Sequence, residues 1–253
     1  MISIRLIKEI LSTPVELDGY LLDVSKRIET HRFLGGGTQG CYIRMVQLLA
    51  TIYTRQGRDL STVRVLDWGT GKGHISYLLK EAGFDVVSCD IESADDDSSF
   101  GQKTPIIKEK SISVIPLTHP WILPFKDAEF DLVVSFGVLE HVPNDYESLR
   151  ELRRIIKPGG IFFFSFLPFW LSWSQRLGHL RGNWYHPRLY RTKTLTDMAV
   201  NVGFKVGNLW HGQLLPKNSF PHSNLLERVD RFLTWSSPLK YFATNIEGIL
   251  IAE

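Results

Sequence analysis

Between Val63 and Phe166, short apolar runs alternate with segments whose apolar residues recur at a helical period, the signature of βαβ units feeding a parallel sheet. The run VRVLD (Val63 to Asp67) reads as a buried strand. After it, Ile75, Leu78, Leu79 and Ala82 fall at i, i+3, i+4 and i+7, one face of a helix that Gly83 stops, and FDVVSC (Phe84 to Cys89) is the next strand. The pattern returns downstream: Leu195, Met198, Ala199 and Val202 repeat the four spacings, Gly203 and Phe204 follow, and Lys205 to Trp210 forms a further strand. Between the two lie the strand DLVVSF (Asp131 to Phe136) and a helix with Tyr146, Leu149, Leu152, Ile155 and Ile156 on its apolar side. Lys157-Pro158-Gly159-Gly160 and the strand IFFFSF follow them. Asn144 and Asp145 at that helix's start, and Arg150, Arg153, Arg154 and Lys157 toward its end, follow the charge order a helix dipole favours; a solvated face accounts for the arginines.

The flanks are less regular. Cys41 to Tyr53 is helical by pattern, with Arg44, Gln47 and Thr51 on its polar side, and the N-terminal stretch is predicted to cap an edge of the sheet. Residues 167–192, rich in Trp, Pro and His, fit neither period, and a connection of that length is more often a functional lid than a plain loop. Leu225, Leu226, Val229, Phe232 and Leu233 form an amphipathic helix, and Ile246 to Ala252 reads as the last strand. The expected organisation is one domain over residues 1–253: a helical cap (1–60), a core (61–166), the aromatic lid (167–192) and the C-terminal half of the sheet (193–253).

Composition narrows this picture. The 253 residues amount to about 1.7 domains of ordinary size, and 43% hydrophobic with 22% charged residues excludes disordered and coiled-coil classes. A balance of 29 Lys and Arg against 27 Asp and Glu, net +2, is too even for nucleic acid to be the main partner. Cys41 and Cys89 have no ligand spacing, so neither a zinc site nor a disulfide framework is indicated and a reducing compartment is expected. Arg5, Lys8 and Glu9 break the first apolar run, which does not resemble a signal peptide. The most apolar stretch, Ile161 to Trp173, contains a proline and falls short of the ~20 residues that span a bilayer. A cytoplasmic protein is expected.

The informative segment is Asp67-Trp68-Gly69-Thr70-Gly71-Lys72-Gly73, where a strand end runs into glycines at alternating positions and then into a helix. Glycine is required where the backbone turns sharply and approaches a ligand closely. Asp90 closes the next strand, where a carboxylate can accept hydrogen bonds from both hydroxyls of a ribose. Dinucleotide binders use GxGxxG with the pyrophosphate at a helix N-terminus. Here the spacing is GxGxG, and His74 occupies the last position of the GxGxxG frame, which favours a nucleoside cofactor without phosphates.

The successive segments VLDWGTGKG, VVSCDIE, LPFKDAEFDLVVSFGVLEHV and LRELRRIIKPGG resemble the ordered motifs of class I S-adenosylmethionine-dependent methyltransferases, most of all the quinone-biosynthesis and small-molecule branch. The resemblance covers about Val63 to Phe166 with specific motifs. It implies an α/β, Rossmann-like, doubly wound sheet of seven strands, parallel except for one antiparallel strand, with helices on both faces. It further implies S-adenosyl-L-methionine as cofactor. Asp67, Gly69, Thr70, Gly71 and Gly73 would hold the methionine end, Asp90 the ribose, and Ile91 would pack on the adenine. Phe136, Gly137 and Val138 would line the cofactor; where relatives place an acid near the adenine amino group, four residues before Leu123, this chain has His119, and Thr118 or His119 would substitute for it.

Methyl transfer from a sulfonium is an in-line displacement in which alignment does much of the work, and a base is needed only where the acceptor begins protonated. His141, in VLEHV, and His186, in the lid, are the candidate catalytic residues. The acids Asp90, Glu92, Asp95, Asp96 and Asp97 lack calcium-loop spacing, so no metal is assigned. Phe169, Trp170, Trp173, Trp184, Tyr185 and Tyr190, interleaved with Arg176, Arg181, Arg188 and Arg191, suit an amphipathic acceptor and equally a membrane interface, with a place in the core a competing reading for Phe169 and Trp170. The expected function is methylation of oxygen or carbon on a small or lipid- or saccharide-linked acceptor. The alternatives are a nucleotide-dependent oxidoreductase and a catalytically silent cofactor-binding protein.

Overall fold

A computed structural model describes residues 3–13, 16–28, 36–91, 104–182, 186, 188–216 and 223–253. Along the chain it runs through α1 (Ile4–Ser12), α2 (Gly19–Lys26), α3 (Gly36–Thr54), β1 (Arg64–Trp68), α4 (His74–Glu81), β2 (Asp85–Ile91), α5 (Pro105–Glu109), β3 (Val114–Leu117) and β4 (Phe130–Phe136). It continues with α6 (Asp145–Ile155), β5 (Ile156–Pro168), α7 (Trp173–Leu180), α8 (Thr192–Asn201), β6 (Phe204–Gly212), α9 (Asn224–Ser236) and β7 (Asn245–Ala252). The strands form one sheet in the order β3-β2-β1-β4-β5-β7-β6. Strands β1 to β5 pair in parallel, and β7 runs antiparallel to both β5 and β6. The chain winds outward from β1 to β3 and returns to β4 beside β1, so the loops leaving β1 and β4 diverge and leave a crevice between them.

Side chains alternate between the two faces of each strand. Val65, Leu132, Val134, Ile161 and Phe163 face one apolar layer, and Leu66, Val133, Phe162 and Phe164 face the other. Both faces are covered, which is why these strands read as near-continuous apolar runs. On the first face, Ile7, Ile10, Leu21, Val24, Ile43 and Val46 of α1 to α3 pack in the same cluster as Val65, Phe163 and Ile249. The N-terminal helices thus spread across a face of the sheet and do not only cap an edge, because their apolar stripes match the apolar layer there.

Helix α6 starts where the Asn144 side chain accepts from the Glu147 amide at 3.1 Å. Its later arginines are not merely solvated. Arg154 bonds Asp127 and Glu151, both at 2.6 Å, and donates to the Phe125 and Leu123 carbonyls, pinning the loop before β4. Arg153 donates to the Gly203 carbonyl at 3.0 Å.

The segment expected to act as a lid is anchored at both ends. Phe169 bridges Tyr190, each only 3% exposed, so these two aromatics belong to the core. The Tyr190 hydroxyl donates to Asp145 at 2.9 Å, and Arg188 donates to the Val142 carbonyl at 2.8 Å. Between the anchors, α7 exposes Trp173, Leu177 and Leu180. Trp184 and Tyr185 lie outside the described residues, as do Glu92, Asp95, Asp96 and Asp97.

Candidate active site

The turn after β1 is held to the end of β2: the amides of Gly69 and Thr70 both donate to the Cys89 carbonyl, at 2.9 and 3.0 Å. The Thr70 hydroxyl donates to the Asp67 carbonyl at 3.1 Å and so closes the turn from within. Gly69, Gly71 and Gly73 have φ of 75°, 55° and 89°, a region that costs residues with a Cβ. A Cβ on Gly69 would run into the side chain of Val138, and one on Gly73 would meet Ile107 at 2.9 Å. At Gly71 the nearest atom is the Gly69 carbonyl oxygen at 3.9 Å, leaving open space above the loop.

Two carboxylates flank this loop. Asp90 accepts from the Gly71 amide at 2.6 Å and from the Ile91 amide at 2.8 Å, and burial raises its pKa. Asp67 is buried and accepts from the Ser76 hydroxyl at 2.5 Å; burial pushes its pKa up to about 7, against the lowering effect of that hydrogen bond.

The crevice between the β1 and β4 ends opens into a cavity of about 510 Å³. Asp67, Gly69, Thr70 and Gly71 form one wall, and Phe136 and Gly137 at the end of β4 continue it. Farther round stand Glu140, His141 and, from the segment after β5, Trp173 and His186. Tyr42 of α3 lies edge-on to Phe136 and Phe166, with ring centroids 5.6 and 5.7 Å away. Phe166 holds φ of 63°, an unusual conformation for a bulky side chain. It lines this cavity and also a smaller one of about 100 Å³, which lies among α1, α3, α9 and β6 and also shares Gln213.

Eight of the residues expected at the site line the larger cavity: Asp67, Gly69, Thr70, Gly71, Phe136, Gly137, His141 and His186. Gly73 belongs to the loop, and Asp90 and Val138 adjoin it, Asp90 through the Gly71 amide and Val138 against Gly69; these three are not in the cavity wall. Ile91 is 65% exposed at the end of β2, and Thr118 and His119 follow β3, the strand paired with it. The His119 ring is engaged locally, accepting from the Ile122 amide at 2.9 Å.

Glu140, Tyr42 and Phe166 are among the cavity residues that the sequence did not single out. Glu140 was legible only as the acid beside His141 in VLEHV. Its side chain is fully buried, neither carboxyl oxygen has a hydrogen-bond partner among the described residues, and burial pushes its pKa up to about 7. Two imidazoles approach it: His141 Nε2 lies 3.8 Å and His186 Nδ1 3.6 Å from Glu140 Oε1. Burial lowers the pKa of His141, and burial aided by the neighbouring His141 and His179 lowers that of His186 to about 4.

A glycine cradle at a sheet switch point, with one acid at the end of each of the first two strands and no pyrophosphate spacing, defines a nucleoside-cofactor α/β fold of the class I methyltransferase type. A methyltransferase-domain family model matches residues 39–208, and the chain belongs to that S-adenosylmethionine-dependent family. It is 26% identical over 171 residues to a probable S-adenosylmethionine-dependent methyltransferase of Mycolicibacterium smegmatis, covering 64% of this chain and 60% of that protein. It is 33% identical over 107 residues to a ubiquinone biosynthesis O-methyltransferase of Rickettsia bellii, covering 42% of this chain and 43% of that one. The chain thus spans about half the length of the curated relatives it matches. A solved S-adenosylmethionine-dependent methyltransferase of Archaeoglobus fulgidus shares the fold with a TM-score of 0.54 at 18% identity, covering 93% of this chain and all of that one.

The cradle fits the family's cofactor. The open space over Gly71 admits a ligand that a Cβ would crowd, Asp67 offers a buried carboxylate to an ammonium group, and Asp90 retains unused lone pairs for ribose hydroxyls.

Proposed function

We propose that this chain transfers the methyl group of S-adenosylmethionine to an oxygen or carbon of a small or lipid- or saccharide-linked acceptor, by in-line displacement. The cofactor supplies a methyl group already activated on a sulfonium. The chain's part is alignment, which can account for a large share of the rate. Asp67 and the amides of the glycine loop bind the methionine end, Asp90 orients the ribose, and Phe136 and Gly137 line the cofactor. Across the cavity, Glu140, His141 and His186 form the polar group that meets the acceptor and handles its proton.

The observation that carries this reading is the shape of the cavity: the glycine loop on one side, a carboxyl and two imidazoles on another, and Tyr42, Phe136 and Phe166 closing it with aromatic rings. Through Phe166 and Gln213 it adjoins a cavity lined by Met45, Leu48, Trp210 and Trp235, which suits the apolar part of a lipid-linked acceptor. The ubiquinone O-methyltransferases among the relatives support a hydroxyl on such a molecule. Among the described residues no helix is long and apolar enough to cross a membrane. Exposed Leu177 and Leu180 on α7, beside Arg176 and Arg181, suit peripheral contact of a cytoplasmic protein with a lipid surface.

Incubation with methyl-labelled S-adenosylmethionine and fractionated cell extract tests this. Label entering an organic-extractable or small-molecule fraction is the expected result. Cofactor binding with no transfer to any fraction would establish the silent alternative.

A further inference from the structure

We propose that Glu140, His141 and His186 form a binding site for one divalent transition-metal ion in the wall of the cofactor cavity. One carboxyl oxygen and one nitrogen from each imidazole lie within 4.8 Å of one another. Two ligands about 2.0–2.1 Å from a tetrahedral ion stand about 3.4 Å apart. The Glu140 separations of 3.6 and 3.8 Å lie close to that value, and the two imidazole nitrogens, within 4.8 Å of each other, would draw together by up to about 1.4 Å to close around an ion.

The second observation is Glu140 itself. A fully buried carboxyl with both oxygens unpartnered among the described residues is costly, and interiors resolve such groups by pairing them or by coordinating a metal. No Lys or Arg forms an ion pair with it among the described residues, Arg188 acting on it only from farther away; the basic groups within 4 Å of it are the two imidazoles. Neutral imidazoles can share a cation with a carboxylate, each giving one lone pair.

Two imidazoles with one carboxylate select borderline ions such as Zn²⁺, Co²⁺, Fe²⁺, Mn²⁺ or Ni²⁺ over Ca²⁺ or Mg²⁺, which prefer all-oxygen sites. Three protein ligands leave at least one coordination position open, as sites that act on a substrate do. For that use the site rests on the methyltransferase reading: a hydroxyl acceptor would ligate the ion, and the ion would favour its ionised form. The three residues would then hold the ion, which would lower the pKa of the bound hydroxyl, and the proton would leave to solvent water. No metal is assigned from the sequence because the ligands come from two distant segments, and the single His-bearing motif VLEHV shows only two of them.

The test uses the full chain, stripped with a chelator and titrated with Co²⁺ under absorption spectroscopy. Uptake of one equivalent with visible d–d bands, displaced by Zn²⁺, is expected. In Glu140→Gln and in His186→Ala, affinity should fall by more than about 100-fold, beyond the 10- to 100-fold that losing an outer partner costs. Circular dichroism and S-adenosylhomocysteine titration of the same samples report folding and the cofactor site separately from the metal. Absence of stoichiometric Co²⁺ uptake by the wild-type chain, or uptake unchanged in both variants, overturns the proposal. Failure of S-adenosylhomocysteine to bind would sink the methyltransferase reading and leave the metal result standing.

Discussion

The carboxylate of Asp90, at the end of β2, accepts a 2.6 Å hydrogen bond from the backbone amide of Gly71, in the turn that leaves β1. One side chain therefore fixes the middle of the glycine loop and keeps lone pairs for a ligand. Asp90→Ala is predicted to weaken S-adenosylhomocysteine binding by about 1–3 kcal/mol, the cost of leaving polar partners unpaired. Calorimetric titration checks it, and unchanged affinity would remove Asp90 from the ribose site.

Gly69 faces a steric limit as well as a conformational one. Its φ of 75° costs a residue with a Cβ about 1–2 kcal/mol, and the added carbon would also strike Val138. Gly69→Ala is predicted to lower stability by more than that conformational cost. Adding Val138→Ala should recover part of the loss, since its two γ carbons are the nearest obstacles. Chemical denaturation of the single and double variants gives the coupling, and strict additivity would show that the clash is relieved by other shifts.

Asp67 sets a pH dependence whose sign is determined by burial. Its pKa is raised to about 7 in the fold against an unfolded value near 3.8. Between about pH 4 and 7 the unfolded chain has lost this proton while the native chain holds it, so stability falls as pH rises through that window. The loss is on the order of 4 kcal/mol for this group alone. The cofactor's ammonium group needs the ionised form, so S-adenosylhomocysteine should bind up to about tenfold tighter at pH 8 than at pH 6. Asp67→Asn should remove both trends, and a variant that keeps the affinity trend would locate the titrating group elsewhere.

Membrane contact through α7 is testable without knowing the acceptor. Leu180 is 86% exposed and Leu177 37% exposed. Burying a leucine contributes roughly 1.5–3 kcal/mol, so Leu177→Glu with Leu180→Glu should cut co-sedimentation with anionic vesicles by more than tenfold. Equal sedimentation of variant and wild type would mean that α7 does not meet the bilayer.

Much of the core was legible because its elements are long and regular. The helix carrying Ile75, Leu78 and Leu79, and strands β1, β2 and β4, follow from apolar spacing and from what the glycines permit. Strand β3 and helix α5 were not: the 4 residues of β3 include Pro116, and the 5 residues of α5 make less than two helical turns. The lid divided: Phe169 and Tyr190 proved to be core because a bridge and the Asp145 hydrogen bond bury them, which composition alone does not encode. Arg153 and Arg154 look solvated in sequence because their carbonyl partners, such as Gly203 and Leu123, carry no residue signature. Glu140 was hidden for a similar reason: its neighbour His186 is brought in by the fold of a distant segment.

Calorimetric titration of the purified chain with S-adenosylhomocysteine, run beside NADH and NADPH, tests the central claim most directly. Saturable binding of one S-adenosylhomocysteine per chain, weakened by Asp90→Ala, with no heat from either dinucleotide, is the predicted result. Tight binding of NADH or NADPH with none of S-adenosylhomocysteine would contradict it.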